Sequence, residues 1–427
     1  MLLLLPMVIV VVATLFPARE DRSAFFTPDS TALADCLPDD TRCAGQAFGN
    51  IAWEQGPLAA LAAARSALGT GNAIEADCHS IAHKIGAAAY LRAGQNVQEA
   101  FAVGGDNLCN SGYYHGVAQA AFAEVQGEDI SAIVDRAFEI CRVEQIDSDP
   151  GARELAERCA HGVGHGAMFA TSGSLVAVIS VCDGLLSFPE RVAAGVDPAS
   201  VGADKSAFAT TCASGVFMEA LGSGAGVEYP LWERAGDLAY PCSAIPERYA
   251  RECYTVLVSR FSKIAGSTAG VAELCLRLPA AGIARCLAGY ATQLSSSLVG
   301  ASDPGRAMID GCLPALPWFS QCLSATLDML GVHYESSRLV EPYCASLAGG
   351  WPRRLCGRTI GWTLSHRRGD EAECRVLAAD LIEPCLIGLQ NQPLDGGPLP
   401  EPRQGDYPAD PPDSPWLRDL QLLVRPS

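Results

Sequence analysis

Eighteen cysteines punctuate this chain of 427 residues, and their spacing constrains its fold more than any other feature. In order they fall as Cys36 and Cys43, Cys78 and Cys109, Cys141 and Cys159, Cys182 and Cys212, Cys242 and Cys253, Cys275 and Cys286, Cys312 and Cys322, Cys344 and Cys356, and Cys374 and Cys385. The last five pairs have separations of 11, 11, 10, 12 and 11, and their second members step along the chain by 33, 36, 34 and 29 residues. A period in that range marks a repeat in which each unit buries its apolar face on the next. Each unit reads as an apolar helix ending near its first Cys, a turn, and a second helix opening near its second Cys, as in VAELCLRLPAAGIARCLAGYATQL. The expected fold is therefore all-α, with disulfide-stapled helical hairpins forming an α-solenoid or a closed α/α array.

Two Cys flanking a turn between antiparallel helices can reach the roughly 5.5–6 Å Cα separation that a disulfide prefers, so pairing follows sequence order. Eighteen thiolates as metal ligands are the competing reading, but no C-x-x-C occurs, which removes zinc ribbons, thioredoxin-type motifs and c-type haem attachment together. The wide pairs Cys78 with Cys109 and Cys182 with Cys212 are not set by spacing alone. A bridge closing a ten-residue loop stabilises by about 2–3 kcal/mol in the chain-entropy model. In period and cysteine use this plan resembles the disulfide-stapled Sel1-like repeats of secreted bacterial proteins, relatives of tetratricopeptide arrays, although the Gly and Tyr pattern of such units is absent.

The ends of the chain are of different character. Residues 1–22 carry an apolar run, LLLLPMVIVVVATLF, of the length of an export signal; it lacks a positive flank and has only a weak cleavage site, so it reads as an export signal or an uncleaved amino-terminal anchor. Residues 23–35 follow as a linker, 36–240 as helical repeats, 241–390 as the regular Cys-paired hairpins, and 391–427, with nine of the 27 prolines, as a flexible tail. The location implied is extracytoplasmic, secreted or held by the amino-terminal segment, which would be its one membrane contact. A formal charge of −18 excludes a counterion-release grip on nucleic acid.

Histidine does not follow the repeat. Five of seven, His79, His83, His115, His161 and His165, fall within 87 residues, each near a Cys that opens a second helix. On a helix, positions i and i+4 share a face, so His79 with His83 and His161 with His165 can each present two imidazoles to one point. His115 and His165 both lie six residues beyond their Cys, and packed helices about 8–10 Å apart leave a gap that imidazoles can bridge through a metal ion. The glycines among them, Gly112, Gly116, Gly162, Gly164 and Gly166, fit either a ligand or close helix approach. Six residues beyond Cys212, Cys253, Cys286, Cys322 and Cys356 stand Met218, Ser259, Thr292, Asp328 and Trp362, so the later units read as scaffold. Glu219, Tyr113 and Tyr114 are the additional ligands or bases within reach, while His333 and His366 are isolated.

Imidazole ligands, with thiolates locked in disulfides, suit a transition metal, zinc first and copper or iron next. No His is followed by Glu, and the G-x-S-x-G, G-x-x-x-x-G-K-[ST] and G-x-G-x-x-G patterns are absent. Two functions then stand beside each other. One is an exported metalloprotein, a metal-dependent enzyme of unknown substrate. The other is a non-enzymatic extracytoplasmic scaffold, without metal, whose concave face binds a protein, peptide or glycan with the histidines as contact residues; a satisfied polar network is the structural alternative for the histidines themselves.

Overall fold

The computed structural model describes residues 26–38, 40–68, 73–103, 108–122, 125, 129–141, 150–187, 206–222, 232, 234–298, 301–334, 337–347, 350–366 and 369–390. The leader, the proline-rich tail and the segment 188–200 lie outside the described residues. The described residues form eighteen α-helices and no strand. The first nine are α1 (Thr41–Gln55), α2 (Pro57–Ala67), α3 (Ala73–Arg92), α4 (Val97–Val103), α5 (Leu108–Phe122), α6 (Ile130–Ile140), α7 (Pro150–Ala170), α8 (Leu175–Gly184) and α9 (Ser206–Gly222). The second nine are α10 (Glu247–Ala265), α11 (Thr268–Leu276), α12 (Ala280–Leu298), α13 (Pro304–Cys312), α14 (Phe319–Tyr334), α15 (Ser337–Ser346), α16 (Trp351–His366), α17 (Glu371–Arg375) and α18 (Ala379–Leu389).

The short leading helices of the hairpins have clear start signals. The side chains of Asp129, Ser174, Ser267, Asp303 and Asp370 cap α6, α8, α11, α13 and α17 by accepting a backbone N–H of the first turn. Each of these helices ends at or beside a cysteine that is bridged to the helix after it. All nine bridges join neighbours in sequence, with Cα atoms 5.3–5.6 Å apart. Three bridges depart from the hairpin pattern: Cys78–Cys109 joins α3 directly to α5, across the intervening α4, while Cys36–Cys43 and Cys242–Cys253 tie a 3-10 turn to α1 and to α10.

The long helices pack in order. α1 lies on α3, α3 on α5, α5 on α7, α7 on α9, α9 on α10, α10 on α12, α12 on α14, α14 on α16 and α16 on α18. One hydrophobic cluster runs through all of them, from Phe26 to Cys385. Glycine sets how closely two of the early pairs approach. A Cβ on Gly86 would press into the Tyr113 carbonyl and one on Gly116 into that of His83, so α3 and α5 meet backbone to backbone. Gly164 against the Cys212 carbonyl and Gly215 against that of His161 do the same for α7 and α9. The glycines beside the histidines thus serve close helix approach.

No helix among the described residues is long and apolar enough to cross a membrane. Nine disulfides with no free thiol among these residues fit an oxidising environment.

Candidate metal centre

The histidine cluster is built where α3, α5, α7 and α9 meet. Asp77 leaves helical geometry at φ −151° and ψ 54°, and its carboxylate accepts from the Ser80 N–H, so His79 stands in the first turn after a break in α3. One turn on, His83 shares its face. Cys109, held at φ 54° and bridged to Cys78, offers its carbonyl to His79 Nδ1 at 2.9 Å. His115 follows on α5, and His161 and His165 come from α7.

Four of the five converge. His79, His83, His115 and His165 each bring one ring nitrogen to within 4.8 Å of the others, an arrangement that can hold a metal ion. His161 flanks the group, its Nε2 3.2 Å from His165 Nε2 and its ring centroid 4.2 Å from that of His115. His83 Nε2 lies 3.0 Å from His79 Nε2, which is 3.4 Å from His115 Nδ1. A tetrahedral zinc with Zn–N bonds of about 2.0–2.1 Å has N···N edges of about 3.3–3.4 Å, which the His79–His115 spacing of 3.4 Å matches, while the set as a whole reaches 4.8 Å and would draw in around an ion.

Hydrogen bonds behind the rings decide which nitrogens face inward. A carbonyl oxygen only accepts, so His79 Nδ1 carries the proton toward Cys109 and its Nε2 keeps a lone pair. His83 Nδ1 faces Gln119 Oε1 at 3.1 Å, while Gln119 Nε2 donates to Glu219 Oε2 at 3.3 Å. With the amide oriented as this network sets it, His83 also donates from Nδ1. The Nε2 lone pairs of His79 and His83 then face one another at 3.0 Å. His165 Nδ1 lies 3.0 Å from Glu219 Oε2, which directs its Nε2 toward His161. In that arrangement two facing lone pairs repel unless a cation stands between them, whereas the opposite orientation of the Gln119 amide lets neutral His83 donate from Nε2 to His79. A proton on one ring would also serve, but burial disfavours that charge.

Desolvation is the leading cause in every case. It pushes the pKa of His83, His115 and His161 well below the ordinary imidazole value, lowers that of His79, and takes His165 down to about 3. These are neutral imidazoles, the form that binds metal. Burial pushes Glu219 up to about 8, so without a cation nearby its contact with His165 is a hydrogen bond rather than an ion pair. Glu219 is 1% exposed, and its Oε1 has no hydrogen-bond partner. A buried carboxylate with one orphaned oxygen is poised for a positive neighbour.

The other sequence candidates are placed elsewhere or differently. Glu219 lies behind His165. The Tyr113 hydroxyl donates to the Ala100 carbonyl on α4 at 2.6 Å, and the Tyr114 ring packs against Phe101 and Tyr113. The side chains of His333 and His366 lie outside the described residues. Gln119 is the functional residue that sequence reading overlooked; its signal was its place four residues beyond His115, on the same helix face. In the later half, the inward positions carry a buried polar layer in which Thr363 donates to Asp328 at 2.8 Å and Ser324 and Thr359 share a hydrogen bond of 3.1 Å.

No family model, curated protein or solved structure matches this chain.

Proposed function

We propose that this protein is an exported metalloprotein that holds one transition-metal ion among His79, His83, His115 and His165, with His161 as a further ligand in reach. Zinc is the first choice, and copper or iron the next, because the donor set is neutral nitrogen throughout. The observation that carries the reading is the convergence of one ring nitrogen from each of His79, His83, His115 and His165 within 4.8 Å, with His79 Nδ1 held on its far side by the Cys109 carbonyl. Second-shell acceptors that orient metal-binding imidazoles in this way are a recurrent feature of metal sites.

The scaffold fits the role. Neighbour-on-neighbour packing from α1 to α18 supports an α-solenoid, and nine disulfides support a life outside the cytoplasm, reached through the apolar leader. Chemistry at such a centre would be that of a metal-dependent enzyme, its substrate an extracytoplasmic molecule.

Metal analysis of the oxidised protein, made without a histidine tag, tests the reading beside a His83→Ala/His165→Ala variant. About one equivalent of metal in the parent and none in a folded variant is the expected result. If neither takes up zinc, copper or iron while both show the same helical content, the cluster is a structural polar network, and the scaffold function, with a protein, peptide or glycan as partner, takes its place.

A further inference from the structure

One disulfide reaches into the histidine cluster. Of the nine bridges, only Cys36–Cys43 and Cys78–Cys109 are half-buried, and the other seven are buried. Exposed bridges are the ones that thiols open first. Cys36–Cys43 ties a 3-10 turn to α1, which carries no histidine. Cys78–Cys109 touches the cluster at both of its ends. Cys78 stands between His79 and Asp77, where α3 leaves helical geometry. Cys109 sits in the left-handed region at φ 54°, which a side-chain-bearing residue seldom adopts, and in that pose its carbonyl accepts from His79 Nδ1 at 2.9 Å. A Cβ on Gly112 would stand 2.7 Å from the His79 carbonyl oxygen and 3.3 Å from Nδ1, so the opening turn of α5 lies directly on the ring. His83 and His165 are instead held from inside the core, by Gln119 and Glu219. His79 is also the half-buried member of the converging set.

We propose that the Cys78–Cys109 bridge is a redox gate on the metal centre. Closed, it seats His79 as a ligand. Open, it frees the first turn of α5, the Cys109 carbonyl leaves Nδ1, and His79 drops out of the set. The inference rests on the metal reading above and names the regulation of that site. The reductant is a dithiol. One of its thiolates attacks a sulfur of the bridge to form a mixed disulfide, and its second thiol displaces the remaining Cys. The dithiol leaves as a disulfide, and its electrons and protons end on Cys78 and Cys109 as thiols. Metal is therefore held firmly only where the bridge is formed, in an oxidising compartment, and a chain still carrying the two thiols holds it weakly.

The test uses the full oxidised protein, without a histidine tag and loaded with zinc, its occupancy measured first. Bridges are opened stepwise with a phosphine reductant, the freed thiols are mapped by alkylation and mass spectrometry, and zinc affinity is read with a chromophoric chelator. Opening of Cys78–Cys109 before any buried bridge, with zinc affinity about 10–100-fold lower, is the expected result, the scale of losing a partner that orients a ligand. Cys78→Ser/Cys109→Ser should show the same loss without reductant at unchanged helical content, and Cys36→Ser/Cys43→Ser should show none. His79→Ala separates the gate from a general loosening: with that ligand already gone, opening the same bridge should weaken zinc binding no further. An equal loss in His79→Ala, an unchanged affinity once the bridge is open, or earlier opening of a buried bridge each overturns the gate and leaves the metal reading standing. A parent protein that takes up no metal overturns the metal reading and the gate with it.

Discussion

Replacing Glu219 with glutamine removes one charge and almost no volume, which makes it a clean probe of the centre. The glutamine carbonyl can still accept from His165 Nδ1, so the ring keeps its orientation while the carboxylate that favours a cation is lost. Loss of such an outer partner costs roughly 10–100-fold in metal affinity, or about 1.4–2.8 kcal/mol. Glu219→Leu also removes the acceptor, leaves the Gln119 amide and His165 Nδ1 without a buried partner, and should fall at or beyond the upper end. Competition with a chromophoric chelator at pH 7.5 reads the affinity. The metal-free protein supplies the control: its Glu219 carboxyl, pushed up to about 8, is protonated in both the folded and the unfolded chain only below the ordinary carboxylate value of 4.5, so Glu219→Gln should leave the metal-free melting temperature nearly unchanged there and raise it at pH 6, where the unfolded carboxyl ionises and the buried one does not. If Glu219→Gln binds metal as tightly as the parent, the carboxylate is not coupled to the cluster and the account of the hydrogen-bond relay fails.

Gly116→Ala would force a methyl group into the His83 carbonyl, so α3 and α5 must separate, lowering stability to denaturant by about 1–3 kcal/mol and weakening metal binding with it; an unchanged midpoint would refute the close-approach reading. Removing the Cys275–Cys286 bridge by a double change to serine should cost about 2–3 kcal/mol in chemical denaturation and leave metal stoichiometry intact, because that hairpin lies outside the four helices of the centre. Metal-free protein should lose stability in acid. Unfolded imidazoles take protons below about 6.5 that the buried rings refuse, with His165 held down to about 3, so this contribution is full above pH 6.5 and falls toward pH 3. Glu219 runs the other way, its contribution full below the ordinary carboxylate value of 4.5 and lost as pH rises through about 8, but one carboxyl stands against five rings. The melting temperature followed from pH 7 to pH 4 should drop less steeply in His83→Gln/His165→Gln than in the parent; parallel curves would show that the rings are not the cause.

What the chain alone determined is local and periodic. Cysteine spacing implied helical hairpins bridged between neighbours, and the i, i+4 spacing of His79 with His83 and His161 with His165 put each pair on one helix face, because both patterns depend only on the geometry of one or two helices. The nine bridges bear the pairing out, although Cys78–Cys109 spans α4 instead of a hairpin turn, which spacing could not show. Tertiary structure decided the rest. That His79, His83, His115 and His165 meet while His161 flanks them depends on the rotation and depth of four helices, with backbone contacts at Gly86 and Gly116 seating α3 on α5 and those at Gly164 and Gly215 seating α7 on α9. That Gln119 and Glu219, 100 residues apart, join in one hydrogen bond and turn His83 and His165 inward depends on the same packing. No local pattern encodes it, because the energy that selects each ring's orientation comes from an acceptor that arrives only when the helices pack.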